Sequence, residues 1–467
     1  MDLFTAINDN YTYTQNGAIT HKSSSDACVD LFGVGAALRT QPKERIIKLV
    51  DASAKQDLYK TIQILTYLRD IRGGQGERRV YQIGMNYLKN KLNIENLIKH
   101  TVEYGSWKDV FKMFTLSEYG PYVKKYYKEH AASNYYDLME KYMPSIGGKR
   151  NKEAEALAAY LGLSPRNYRK YLSKARSSIN IVEQKMCAKK WNEIDYSKVP
   201  SRASILYSNA FQNWDNDRYR EYLNSVSRGT SKLNASVLYP YEIIEKAAID
   251  PDGKYDLFWK NLKQYNCPNE NAIVVADVSG SMYWRPLGVA LSLAFYLAEH
   301  NTGIFKNKFI TFSEKPHFEI IEGNTLHDKI RNAVEADWCS NTNLQAIFDL
   351  ILRAAVENNL PESEMIKNLY IVSDMEFDSC VSDNETNFEA IDRKYRKAGY
   401  KRPNIIFWNV DSKQNNVSVK TTDNGVALVS GCSPQIFEMA LTDDLDPTKF
   451  MDTVISKYDV SSLIKEA

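Results

Sequence analysis

The sequence predicts an α plus α/β protein, with a HEAT-like array of antiparallel helices over residues 1–264 followed by a doubly wound, mainly parallel sheet over 265–467. Three observations predict it. Apolar residues recur at helical spacing from about residue 42 to 250. After Pro251-Asp252-Gly253, short continuous apolar runs alternate with helical stretches, the texture of a buried parallel sheet with helices on both faces. The charge divides at the same place: the net charge of +2 is the difference between about +11 for residues 1–250 and about −9 for the remainder. A chain of 467 residues also exceeds the usual size of a single core, so two units are expected.

In the first half, Pro42 sits where a helical turn begins, and Ile46, Ile47 and Val50 follow on one face. Leu58, Ile62, Leu65 and Leu68 mark a second helix, and Val80, Ile83, Tyr87 and Leu88 a third. The breaker Gly73-Gly74-Gln75-Gly76 between them makes a helical hairpin. Ser164-Pro165 is an N-cap followed by a proline at the first helical position, with Tyr168, Tyr171, Leu172 and Ala175 on one face. No strand-like alternation interrupts this half. Successive helices without a strict sequence period suggest an α-solenoid of divergent repeats.

In the second half the strand candidates are Ala272–Ala276, Phe309–Phe312, Leu369–Val372, Ile405–Trp408 and Val426–Val429, with helical stretches at Leu287–Ala298 and Leu344–Val356. Hydrophobic residues make up 43% and charged residues 25%, as in globular proteins. No apolar run approaches the roughly 18 to 20 residues that cross a bilayer, and the opening MDLFTAINDNYTY lacks the basic and apolar regions of a secretory leader, so a cytoplasmic location is expected. The cysteines Cys28, Cys187, Cys267, Cys339, Cys380 and Cys432 form no C-x-x-C pair and read as reduced thiols, mostly buried.

Asp277-Val278-Ser279-Gly280-Ser281 stands directly after the first strand of the sheet, at the carboxyl edge where ligands bind in open α/β sheets. Thr342, in Ser340-Asn341-Thr342-Asn343, and Asp374, in Ser373-Asp374-Met375-Glu376, fall at strand or loop ends of the same unit. The donors are hard oxygens only, and Cys339 and Cys380 have no histidine or thiol partner at zinc spacing. Such a set suits Mg2+ or another divalent cation, which accepts incomplete protein ligation and keeps an open position. The competing role for Asp277 and Ser279 is to cap a helix and a turn. Glu376 and Asp378 read as solvated turn residues.

The D-x-S-G-S run, the following threonine loop and the later Ser-Asp turn resemble the metal-ion-dependent adhesion site of von Willebrand factor A domains. That resemblance implies that Ser279, Ser281 and Thr342 ligate the ion directly or nearly so, that Asp277 and Asp374 act directly or through water, and that an acidic group of a partner takes the sixth position. In the helical half, Arg69-Asp70-Ile71-Arg72-Gly73-Gly74-Gln75-Gly76-Glu77-Arg78 and Tyr104-Gly105-Ser106-Trp107-Lys108-Asp109 resemble, in the same order, two signatures of the TROVE module of Ro-like proteins. Gln75 departs from that pattern, standing where a lysine often occurs. Thr14–Ala18 ahead of Val29–Phe32 is similar to the N-termini of phage and bacterial Ro-like proteins. Tyr168-Arg169-Lys170, Val199-Pro200-Ser201 and Ser373–Asp378 are more similar still to a Ro-like family of plants, large viruses and bacteria.

The resemblance implies a ring or crescent of helical repeats closed by the A domain, holding RNA such as a small non-coding RNA or single-stranded ends. Lysines and arginines facing phosphates supply salt-dependent affinity. The candidates are Arg166, Arg169 and Lys170, which share a helical face, and Arg72, Arg78, Arg79 and Lys108 around the glycine turn. The alternative is that Asp70 and Glu77 pair with these arginines and hold the hairpin shut. The 31 tyrosines read mainly as helix-packing residues.

Gly73–Gly76 lacks the G-K-[ST] of a phosphate-binding loop, and Val278–Ser281 is not a G-x-S-x-G nucleophile elbow. Six histidines, none at a triad position, and no placed general base leave catalysis unsupported, so no enzyme is expected. The sequence therefore reads as a non-catalytic RNA-binding protein whose A domain meets a partner through Mg2+. The second reading is a metal-dependent protein-interaction scaffold or virus-encoded assembly factor without RNA.

Overall fold

Helix Leu58–Arg69 is buried from Thr61 to its end, so it has no solvent face to alternate with an apolar one. A helix apolar on every side must lie in the middle of its neighbours, and this one packs against helices Ala27–Val34, Lys43–Gln56, Arg78–Leu88 and Pro447–Ile455. The computed structural model describes residues 10–179, 181–267, 271–312, 316–335, 342–380, 385–440 and 445–465.

From residue 43 to 260 the described secondary structure is helical. Neighbouring helices pack in pairs, including Ile94–Tyr104 with Trp107–Met113, Leu116–Ser133 with Asn151–Tyr160, and Ser201–Trp214 with Asn216–Ser227. Pro42 is the N-cap of its helix, with Lys43 the first helical residue. Ser164 caps Pro165–Ser178 by accepting from the Asn167 amide, and Tyr168, Leu172 and Ala175 are its buried face. The tyrosines pack: Tyr196 lies with Phe211, Tyr219 and Tyr222 in one ring cluster. The half also holds a two-stranded hairpin that the sequence pattern did not indicate, β1 (Tyr11–Tyr13) with β2 (Ile19–His21).

The glycine-broken turn is the structural centre of this half. Arg69 and Asp109, 1% and 0% exposed, form a salt bridge at 2.7 Å. Arg78 reaches the other carboxylate oxygen at 2.9 Å, and the Gln82 amide and Ser106 hydroxyl also donate to Asp109. Burial pushes the Asp109 carboxyl up, but the charges of Arg69 and Arg78 outweigh it and hold it below the usual range. Glu77 caps helix Arg78–Leu88, and Asp70 accepts from the Arg72 amide and the Tyr458 hydroxyl. Arg69 and Arg78 therefore pair with Asp109, while Asp70 and Glu77 order the turn's backbone. Gly74 is required there, because a Cβ would overlap the Tyr67 carbonyl oxygen.

The second half is a six-stranded sheet in the order β5 (Phe318–Ile320), β4 (Lys308–Thr311), β3 (Ala272–Ala276), β6 (Asn368–Ser373), β7 (Asn404–Asn409) and β8 (Val426–Ser430). All neighbours are parallel except β4 with β5. The chain winds outward from β3 in one direction and from β6 in the other, so a switch point falls between their carboxyl ends. Helix Arg285–His300 covers one face over β3 and β4. The crossover from β7 to β8 carries no helix. Helix Ala27–Val34 from the N-terminal part packs there instead, with Gly33 against Leu428.

The junction at 264/265 expected from the sequence lies between helix Lys254–Lys260 and β3, and the packing crosses it in both directions. The N-terminal hairpin bridges to Val417, and the C-terminal Ile464 bridges back to Leu92. Gln75 joins the halves directly: its amide nitrogen donates to the Tyr67 hydroxyl, and its oxygen accepts from the Cys432 and Ser433 amides just past β8. Cys28, Cys187, Cys267, Cys380 and Cys432 are unpaired thiols, three of them buried, and Cys339 lies outside the described residues.

Two outcomes follow. Asp109→Asn leaves the Arg69 guanidinium buried without its counter-charge and is expected to cost about 3–5 kcal/mol in urea unfolding; a loss below about 1 kcal/mol would remove the cluster's structural role. His100, buried against the Thr66 hydroxyl at 2.8 Å, is held neutral by burial, its pKa lowered from 6.5 to about 4. That contribution is complete above about pH 6.5 and is lost as pH falls toward 4, roughly 3 kcal/mol in all. The stability of a His100→Gln variant is expected to fall less steeply than wild type between pH 7 and 4.5.

Candidate metal centre and basic surface

β3, β6 and β7 end side by side, and each sends a loop over the same edge of the sheet. The Asp277 amide continues the ladder by donating to the Val372 carbonyl, which fixes its side chain at the end of β3. Asp277 is fully buried; one oxygen accepts from the Ser279 amide at 2.9 Å and the other from the Ser373 hydroxyl at 2.6 Å. The Ser279 and Ser281 hydroxyls lie 3.1 Å apart, and Ser281 donates to Asp374 at 2.6 Å. The other Asp374 oxygen accepts from the Glu376 amide. Burial, and after it the charge of Asp374, push the Asp277 carboxyl above its usual range.

Thr342 is buried at the rim of this group. Its hydroxyl donates to the Glu376 carbonyl and accepts from the Asn16 side-chain amide, each at 3.2 Å, and its backbone amide donates to Asp378 at 2.7 Å. Of its loop, Ser340 and Asn341, like Cys339, lie outside the described residues. The structure thus joins Asp277, Ser279, Ser281 and Asp374 in one hydrogen-bonded chain and ties Thr342 to the turn that follows Asp374.

Glu376 corrects the reading of a solvated turn residue. It is 1% exposed, accepting from the Gln15 amide at 2.5 Å and from Asn416 at 3.3 Å. The N-terminal hairpin runs along this turn, with Thr14 donating to the Phe377 carbonyl and Asn16 to the Glu376 carbonyl, both at 2.6 Å. Asp378 is likewise engaged by the Thr342 amide. The alternating polar residues Thr14 and Asn16 gave no sign of this, because a hairpin's partner loop is not visible in its own pattern.

Sequence reasoning also missed Lys413. Its ammonium lies 2.7 Å from the Asp374 carboxylate and 2.7 Å from the Ser281 carbonyl. The signal was available: Lys413 follows β7 as Asp374 follows β6, on the same ligand edge. The donor set is oxygen only, and two buried carboxylates carry one more negative charge than a single ammonium offsets. On that chemistry the residues fit a hard divalent cation. Among the described residues, His130, Asp137 and Glu140 also bring ligand atoms within 4.8 Å. Glu140 there already accepts from His130, Tyr171 and the Asp137 amide, which is a helix cap and a core contact.

The basic candidates separate into two kinds. Arg78 is bound to Asp109, Arg79 donates to the Leu38 and Arg39 carbonyls, and Arg72 donates to the Glu103 carbonyl. Lys108, Arg166, Arg169 and Lys170 are exposed. No helix among the described residues is long and apolar enough to cross a membrane.

The fold and site define a two-part protein, a helical scaffold interlocked with a parallel α/β unit that carries an oxygen-lined cluster at its carboxyl edge. Residues 14–156 and 138–278 match the model of a domain of unknown function, DUF2828, and residues 271–461 match that of a second, DUF7788. The chain is 30% identical over 507 aligned residues to an uncharacterized protein of Acanthamoeba polyphaga mimivirus, covering 96% of this chain and 88% of that one. Among solved structures it aligns with the Ro (RSR) protein of Deinococcus radiodurans over 96% of each chain, at 11% identity and a TM-score of 0.36. The chain belongs to the DUF2828 family.

Glu376→Ala removes the acceptor of the Gln15 amide and is expected to speed hydrogen exchange at Gln15 at least about tenfold. Unchanged exchange would show that Thr14 and Asn16 hold the hairpin without it.

Proposed function

We propose that the protein is a non-catalytic, Ro-like RNA-binding protein, in which the helical half holds RNA and a von Willebrand A-like half binds Mg2+ through Asp277, Ser279, Ser281, Thr342 and Asp374. The observation that carries the RNA reading is a contrast within the arginines and lysines. Arg69, Arg78 and Arg79 are consumed by internal acceptors, whereas Arg166, Arg169 and Lys170 stand exposed on helix Pro165–Ser178, with no ion pair among the described residues. Unspent cations on one face are what phosphate binding requires. Lys108 and Arg72 extend the candidate surface; Arg78 and Arg79 contribute only where their present bonds leave them accessible.

The metal reading rests on the buried Asp277 and Asp374 with two aligned serine hydroxyls, at the edge where parallel sheets bind ligands. A bound Mg2+ supplies a Lewis-acidic point of attachment for an acidic group of a partner. The protein's own residues orient it: Ser373 and the Ser279 amide fix Asp277, and Ser281 and the Glu376 amide fix Asp374.

Single-stranded RNA binding is expected to weaken steeply between 50 and 200 mM salt, and Arg166→Glu, Arg169→Glu and Lys170→Glu together are expected to lower affinity at least about tenfold with the fold intact by circular dichroism. Crosslinking from the native host that recovers no RNA above the background of the triple variant would leave the protein-interaction scaffold as the better reading.

A further inference from the structure

We propose that Lys413 is a built-in cation of the sheet-edge site, one that a divalent ion must displace before it binds. The inference rests on the reading of Asp277, Ser279, Ser281 and Asp374 as a cation site, and it adds a competitor that the sequence motif does not contain. The Lys413 ammonium holds one Asp374 oxygen, a group of the ligand set, and is anchored beside it by the Ser281 backbone carbonyl. The same Asp374 oxygen accepts from the Ser281 hydroxyl. A metal ion using that oxygen faces a positive charge 2.7 Å from it.

The placement of Lys413 is not that of a drifting surface side chain. Its loop is clamped by Arg45 of helix Lys43–Gln56. The Arg45 guanidinium donates to the Ser412 carbonyl at 2.6 Å, the Lys413 carbonyl at 3.0 Å, the Ser412 hydroxyl at 2.8 Å and the Asn415 side chain at 2.7 Å, and also to the Gln414 carbonyl. The backbone at Lys413 is therefore fixed by the helical half. Its side chain, 27% exposed, has a flexible stem and a path to water. The Asp374 carboxylate keeps a counter-charge in either state, from the ammonium or from the ion. When the ion enters, repulsion moves the ammonium to the rim, where it adds to the attraction for an anionic partner.

The test is Mn2+ binding to the full-length chain by titration calorimetry, with bound Mn2+ counted by electron paramagnetic resonance. Lys413→Met is expected to bind one ion at least about tenfold more tightly than wild type, Lys413→Arg to remain as weak as wild type, and Asp374→Asn in the Lys413→Met background to lose the ion. Equal affinity in wild type and Lys413→Met, with loss in Asp374→Asn, would overturn the competitor and leave the cation site standing. Absence of binding in both wild type and Lys413→Met would overturn the cation site, and with it the role of Lys413.

Discussion

A carboxylate with essentially no access to water, Asp109, fixes the angle between three helices by taking two guanidiniums. Arg69 ends helix Leu58–Arg69, Arg78 begins Arg78–Leu88, and Asp109 lies in Trp107–Met113. Neither Asp109 nor Arg69 tolerates burial alone, and the partly exposed Arg78 adds a second counter-charge, so the three helix ends are held together. That arrangement presents Gln75 outward from the turn, where its single oxygen satisfies two amides past β8. Gly431, at φ +110°, is shaped to the same contact, since a Cβ there would overlap Gln75. Gln75 thus joins the Phe32 and Ala36 bonds to Ser430 in registering the edge strand on the helical half.

The fold was legible where a single element carries its own signal. The apolar runs of β3, β6, β7 and β8 are strands buried on both faces, and such strands need no partner to be recognised. The Ser164-Pro165 cap behaves likewise, because its information lies within four residues. What the sequence withheld depends on pairing at a distance. β1 and β2 are three residues each and half polar; β2 bridges to Val417, and the loop between the strands lies on the 376–378 turn. Glu376 looked solvated because its partners, Gln15 and Asn416, lie 361 and 40 residues away. The motif around Gly73–Gly76 was visible as a motif, but Arg69 and Arg78 reach Asp109 rather than pointing outward, a distinction no spacing rule contains.

The sheet-edge cluster was legible in its polar groups and not in what surrounds them. Asp277, Ser279, Ser281 and Asp374 follow from the rule that ligand groups gather beyond the carboxyl ends of parallel strands. That rule also picks out the loop after β7, and Lys413 is the group it offers. The surrounding groups come from elsewhere: Asn16 from the N-terminal hairpin onto Thr342, and Arg45 from the helical half onto the Lys413 loop. Two carboxylates buried in one hydrogen-bonded chain favour a cation beside them. An ammonium from the neighbouring strand loop is the least costly company available within one chain.

The interlocking also bears on how the two proposed surfaces relate. The helical half carries the excess of positive charge and the sheet half the excess of negative charge, so a polyanion is steered toward the helices and away from the sheet. The sheet edge attracts an anion only where positive charge is concentrated, at Lys413 or at an ion that replaces it. Because Arg45 holds the Lys413 loop from a helix adjoining the central Leu58–Arg69, a shift of that helix would move the ammonium relative to Asp374. Arg45 therefore ties the position of the ammonium to the helical half through one guanidinium and one loop.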